Sequence, residues 1–76
     1  MKQYNEEVLK ERGFVFDEEA TKEETKNKFN SNGYKIYTQW LKDERIASLG
    51  VNNDTEDKHI ISSLNKLEED RKKNAN

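Results

Sequence analysis

The clearest hydrophobic pattern in the chain lies near its C-terminal end. Apolar side chains recur there at a spacing of three or four residues, which places them on one face of a helix. Asn, Asp and Thr side chains at 52–55 are good N-caps, and acids early and bases late suit the helix dipole. The pattern predicts a helix over 54–73. Its apolar stripe consists of Ile60, Ile61, Leu64 and Leu67.

A second amphipathic pattern lies between Gly33 and Gly50. Apolar residues stand at positions 36, 37, 40 and 41, which fits a period of 3.6 better than a period of 2. Gly50 is expected to stop the helix. The pattern therefore predicts a helix over 34–49, joined by a short turn to the last helix.

The first part of the chain carries weaker signals. Tyr4, Val8 and Leu9 predict a short helix over 2–12, with Gly13 as its C′ residue. The next three residues, 14–16, have high strand propensity and form either an extended connector or a short strand. Asp17 is a possible N-cap for a largely solvated helix over 18–31.

These elements predict an all-α fold in a single domain. It is a small bundle of three to four helices, over 2–12, 18–31, 34–49 and 54–73, with residues 74–76 frayed. The alternative is an α+β fold with a short hairpin around Asn32-Gly33. Asn-Gly is the strongest short hairpin signal, and the segment 34–38 could follow it as a strand.

The composition provides few hydrophobic residues for a core. Only 30% of the 76 residues are hydrophobic, whereas 39% are charged, and the net charge is -2. A chain this short buries a small share of its surface. Either nearly every large apolar side chain lies in the core, or a partner completes the fold.

The sequence contains no recognisable set of catalytic residues. It has no Cys, so disulfides and zinc–thiolate sites are excluded. His59 is the one histidine, and we expect it to be an ordinary surface residue. Gly-rich phosphate loops and calcium loops are absent from the pattern. The prediction is a non-enzymatic protein without metal or cofactor. No apolar run is long enough for a membrane span or a signal peptide, which predicts a cytoplasmic protein.

One segment resembles a DNA-binding motif. The residues Ile46–Val51 read Ile-Ala-Ser-Leu-Gly-Val and resemble the first helix and turn of a helix-turn-helix. Glu56 stands where the second helix of that motif usually has a buried Val, and neighbouring acids would repel phosphates. A nucleic-acid-binding regulator is therefore the alternative function. Its binding residues would be Lys58, Lys66, Arg71, Lys72 and Lys73.

The leading functional prediction comes from the aromatic residues. Tyr34, Tyr37 and Trp40 fall on one predicted helix, and Tyr and Trp are enriched where proteins bind each other. With so few apolar residues, a core position is the stronger expectation for Trp40, as it is for Ile36 and Leu41. Tyr34 and Tyr37 are the better candidates for contact. The sequence therefore predicts a small interaction protein, of the kind phages and mobile elements encode, that binds and modulates another protein through a helical surface. A homodimer is a further possibility. It would form through Ile60, Leu64 and Leu67 of the last helix.

Overall fold

The chain alternates between helices and strands, in the order helix, strand, helix, strand, strand, helix. The structure is a computed structural model that describes residues 2–26 and 32–74. The elements are α1 (Glu6–Glu11), β1 (Phe14–Phe16), α2 (Glu18–Thr25), β2 (Lys35–Leu41), β3 (Glu44–Val51) and α3 (Asp57–Asn74).

The strands form one antiparallel sheet in the order β1-β2-β3, so β2 is its central strand. Strands β2 and β3 pair in a regular register that begins with Lys35 opposite Val51. The register then shifts by one residue. Gln39 pairs with Ala47, but Trp40 pairs with Arg45. Ile46 is therefore the extra residue of a β-bulge, a feature that bends a strand locally.

The core lies between one face of the sheet and the helices α1 and α3. Tyr37 is completely buried at its centre, and its ring meets the rings of Tyr4 and Phe16 edge-on. The hydroxyl oxygens of Tyr37 and Tyr4 are 3.3 Å apart. Burial raises the pKa of the Tyr37 hydroxyl, so that group stays neutral. The buried cluster consists of Tyr4, Leu9, Phe14, Tyr37, Val51, Ile60 and Leu64.

The predicted all-α bundle is wrong. The predicted helix over 34–49 is replaced by β2, β3 and the turn between them, so the domain is α+β. Gly50 pairs with Ile36 inside the sheet and does not end a helix. The resemblance to a helix-turn-helix fails for the same reason, because Ile46–Val51 is part of strand β3.

The hairpin of the alternative α+β prediction was also misplaced. The strands β2 and β3 are joined at Lys42 and Asp43, where Lys42 has a φ of 57°. Asn32 and Gly33 form a turn before β2, with φ values of 61° and 64°. The carbonyl of Asn32 accepts the amide N–H of Asn53 at 2.7 Å, which ties this turn to the loop after β3.

Several local predictions are confirmed. The last helix runs over Asp57–Asn74, close to the predicted 54–73. The first helix covers Glu6–Glu11 with Asn5 as its N-cap, so it is shorter than the predicted 2–12. The amide of Gly13 donates to the carbonyl of Lys10 after α1, as a C′ residue does, and the residues after it form the short strand β1. Asp17 caps α2, which extends to Thr25. The predicted continuation over 27–31 and the fraying of 75–76 lie outside the described residues.

Candidate protein-interaction surface

The face of the sheet that points away from α1 and α3 meets α2 at one end. The amide N–H of Ile36 in β2 donates to the hydroxyl of Thr21 in α2 at 2.9 Å. That hydroxyl donates in turn to the carbonyl of Asp17 at 2.8 Å. These bonds hold α2 against the β1 side of this face, which we call the open face.

A buried carboxylate organises the open face. Asp17 is 4% exposed and accepts hydrogen bonds from the hydroxyl of Thr38 at 2.7 Å and from the amide of Ala20 at 3.1 Å. Arg45 binds both carboxylate oxygens, through Nε at 2.7 Å and Nη2 at 3.2 Å. Asp17 therefore connects α2, β2 and β3.

The bonds to Arg45 hold the pKa of the Asp17 carboxyl well below its usual range, although burial acts in the opposite direction. Hydrogen bonds from Thr38 and from the amide of Ala20 lower this pKa further. Both oxygens of Asp17 already accept bonds within the chain. This carboxylate thus serves the fold, because a general base needs an oxygen that can reach a substrate proton.

Arg45 also holds the tryptophan of the open face. Its guanidinium carbon lies 4.7 Å from the centre of the Trp40 ring, within the range of a cation–π contact. The two residues are paired across β2 and β3. Asp17 fixes Arg45, and Arg45 fixes the ring, while Trp40 remains 38% exposed. The result is a large apolar side chain held in place at the surface.

Other exposed apolar side chains lie near Trp40. Val15 pairs with Thr38, so it stands diagonally from Trp40 on the open face. Ile46 is the bulge residue beside Arg45. Leu41, which follows Trp40, belongs to the opposite face, because side chains alternate along a strand. We call the group of Val15, Trp40 and Ile46 the Trp40 patch. Their exposed fractions are 47%, 38% and 39%.

The structure separates the three aromatic residues that the sequence placed together. Trp40 is exposed, as a contact residue must be, whereas Tyr37 is 0% exposed and lies in the core. Tyr34 is half-buried against Gly50, since a Cβ added at Gly50 would lie 2.8 Å from Cζ of Tyr34. Only Trp40 of the three belongs to an exposed apolar group.

Sequence reasoning missed the remaining members of this surface. Val15 was predicted in a connector or short strand and Ile46 in a helix, neither as a contact residue, and Arg45 was assigned no role. Strand propensity was the available signal, because the segment 35–41 is rich in aromatic and β-branched residues. The contact between Asp17 and Arg45 joins residues 28 positions apart, and no local pattern marks it.

Two shallow grooves border the open face. The first, of about 370 Å³, lies between α2 and the sheet, and the second, of about 440 Å³, lies at the hairpin turn. The first groove is lined by Glu19, Ala20, Glu23, Glu24, Ile36 and Arg45. The second is lined by Leu41, Lys42, Asp43 and Glu44. Carboxylates therefore stand on two sides of the Trp40 patch.

Residues that could ligate a metal ion are not grouped in the described ranges. Within 2–26 and 32–74, no three His, Cys, Asp or Glu side chains come together to hold a metal ion. His59 is exposed on α3, and its Nδ1 lies 3.9 Å from a carboxylate oxygen of Glu56. In the same ranges, no helix combines the length and apolar character that a membrane crossing requires.

The predicted nucleic-acid-binding residues all lie on α3. Lys58, Lys66, Lys72 and Lys73 are exposed, away from the buried residues of that helix. Arg71 instead donates a hydrogen bond to the side-chain oxygen of Gln39 in β2. Because Ile46–Val51 lies in strand β3, these residues do not belong to a helix-turn-helix.

The residues predicted for a homodimer contribute to the fold of the single chain. Ile60 and Leu64 are each 1% exposed, and Leu67 is packed against the same core. In this fold they have little surface to offer a second copy.

Comparisons with known proteins add no family or function. No protein family, no curated protein and no solved structure matches this chain.

Proposed function

We propose that this chain is a small interaction protein that binds another protein through the Trp40 patch and modulates its activity. The observation that carries the proposal is the exposure of three large apolar side chains near one another, in a chain of which only 30% is hydrophobic. Exposed apolar groups of this kind mark binding surfaces in soluble proteins. The predicted helical surface is replaced by a sheet surface, because residues 35–41 and 44–51 are strands.

Trp40 is the expected energetic centre of this surface. Tryptophan is among the residues that contribute most to protein–protein binding, because its ring buries a large area. Arg45 contacts the ring and is itself bound to Asp17 at 2.7 Å. Since the ring is already held in place, binding costs less side-chain entropy than for a freely rotating residue.

Replacing Trp40 by alanine is expected to reduce retention of the partner at least about 10-fold, because the loss of a central aromatic residue typically costs 2 kcal/mol or more. The matched control is Ile61→Ala. Ile61 is 40% exposed, close to the 38% of Trp40, but it lies on α3, outside the open face. The measurement is quantitative mass spectrometry of host proteins captured by the wild-type chain and by each variant.

The proposal is supported if a host protein binds the Ile61→Ala variant but no longer binds the Trp40→Ala variant, provided that circular dichroism shows both variants folded. Equal retention of every reproducible partner by both variants would overturn it. Recovery of nucleic acid in place of protein, with binding that weakens steeply as salt rises, would favour the lysines of α3 as the functional surface.

A further inference from the structure

Strand β3 is a long edge strand that its neighbours leave open on one side. It covers Glu44–Val51 and pairs only with β2 among the described strands. Proteins usually block such edges with Pro or Lys, with bulges or with a covering element. The bulge at Ile46 interrupts one end, but the segment 47–51 contains no charged residue and no Pro.

The hydrogen bonds of the sheet show which backbone groups of β3 point outwards. The amide of Asp17 donates to the carbonyl of Ile36 at 2.8 Å, so the backbone groups of Ile36 face β1. Backbone groups alternate in direction along a strand, so those of the next residue, Tyr37, face β3. Leu49 pairs with Tyr37 and points inwards, and Ser48 and Gly50 therefore direct their N–H and C=O groups outwards.

We infer that this edge pairs with the same edge of a second copy, in an antiparallel register centred on Leu49. In that register Ser48 of each copy lies opposite Gly50 of the other. Since these residues carry the outward groups, each such pair exchanges two hydrogen bonds, and the two pairs together make four. The two sheets become one sheet of six strands. This inference stands apart from the Trp40 patch and does not depend on it.

Side chains match across this register as well. Leu49 meets Leu49 of the second copy, and Ala47 meets Val51, all on the face that α1 and α3 cover. No like charges are opposed within 47–51, since the segment is neutral.

The contact is short and therefore weak. Two five-residue segments bury less area than a stable interface needs. We expect a concentration-dependent dimer with a dissociation constant of about 0.1–1 mM. Such a contact forms transiently at low concentration and becomes populated where copies are held close together.

Sedimentation equilibrium between about 10 µM and 1 mM tests the inference, with amide hydrogen exchange followed by NMR in parallel. The wild-type chain is expected to shift from monomer to dimer over this range. The amides of Ser48 and Gly50 should gain protection as concentration rises, while that of Leu49 should not change. A chain that stays monomeric throughout, or a dimer in which the Ser48 and Gly50 amides gain no protection, would contradict the inference.

A pair of variants at Ser48 locates the contact. Ser48→Pro removes an outward N–H while leaving the bonds to β2 in place, and it should raise the dissociation constant at least about 10-fold. Ser48→Ala is the control, because it loses the same 2.9 Å contact with the Thr38 hydroxyl but keeps the amide. It should dimerise like the wild type. Equal dimerisation by both variants would place the interface elsewhere, and the wild-type exchange data still decide if Ser48→Pro fails to fold.

Discussion

Replacing Tyr37 by alanine is expected to destabilise the domain by about 4 kcal/mol, as truncation of a fully buried aromatic residue does. Tyr37 is 0% exposed, lies on the central strand and contacts the rings of Tyr4 and Phe16. The loss is a large share of the roughly 5–10 kcal/mol expected for a domain of this size. Urea unfolding followed by circular dichroism measures it, and much of the variant should be unfolded at room temperature.

The control for this substitution is Tyr37→Phe. It keeps the ring and removes only the hydroxyl, which is 3.3 Å from that of Tyr4. We expect a loss of about 1 kcal/mol, the typical value for one hydrogen bond. If Tyr37→Ala unfolded at the same urea concentration as the wild type, Tyr37 would be a surface residue and the placement of the core would be wrong.

Replacing Asp17 by alanine should cost about 3 kcal/mol of folding free energy. The change removes the N-cap of α2 and leaves the buried hydroxyl of Thr38 without the carboxylate to which it donates. It also leaves Arg45 with the more distant Glu19, at 3.5 Å, as its carboxylate partner, and this loss is reduced by the 41% exposure of the Arg45 side chain. Urea unfolding at neutral pH measures the effect. An unchanged midpoint would show that the network of Asp17, Thr38 and Arg45 does not hold the open face.

The same carboxylate makes stability depend on pH. The pKa of Asp17 is lower in the folded chain than its ordinary value of 3.8. Its contribution is therefore complete above about pH 4 to 5 and is lost as the pH falls through the acid range towards the folded pKa. Asp17→Asn removes this titrating group, so the variant should lose less stability than the wild type between about pH 5 and pH 2. If the free energy of unfolding of the wild type and of Asp17→Asn fell equally with pH, the ion pair between Asp17 and Arg45 would be contradicted.

The predicted helix over 34–49 was the largest error, and it has a physical reason. A half-exposed strand alternates apolar and polar residues, but β2 packs on both sides: Tyr37 faces the core, while Ile36 and Trp40 face α2 and the open face. Apolar residues therefore occur consecutively and imitate helical spacing. The bulge at Ile46 shifts the alternation again, and the turn residues Lys42-Asp43 are not a recognised hairpin signal.

Features that depend on neighbouring residues, in contrast, could be predicted from the sequence. The cap at Asp17 depends only on residues one turn away, with its side chain 3.1 Å from the amide of Ala20. Ile60, Leu64 and Leu67 of α3 pack onto the core at helical spacing, as predicted, whereas Ile61 of the predicted stripe is 40% exposed. Elements defined within about one turn could thus be predicted, whereas the pairing of strands could not.

The candidate site was predictable only in part. Trp40 is the one tryptophan, and its type suggested a contact role, although the sequence favoured a core position for Trp40 and a contact role for Tyr37. Its exposure and its neighbours depend on strand register, which brings Arg45 opposite Trp40 and Val15 opposite Thr38. Tyr37 carried the same signal in the sequence, yet one position along a strand separates a core residue from a surface residue.

The most direct test of the Trp40 patch uses the chain's single tryptophan as its own reporter. The chain is labelled with fluorotryptophan, and the fluorine NMR signal of Trp40 is recorded free and with the protein partner captured by the wild type. We expect one signal that is sensitive to solvent in the free chain and that shifts and loses this sensitivity in the complex. A bound complex in which the Trp40 signal keeps its position and its solvent sensitivity would contradict it.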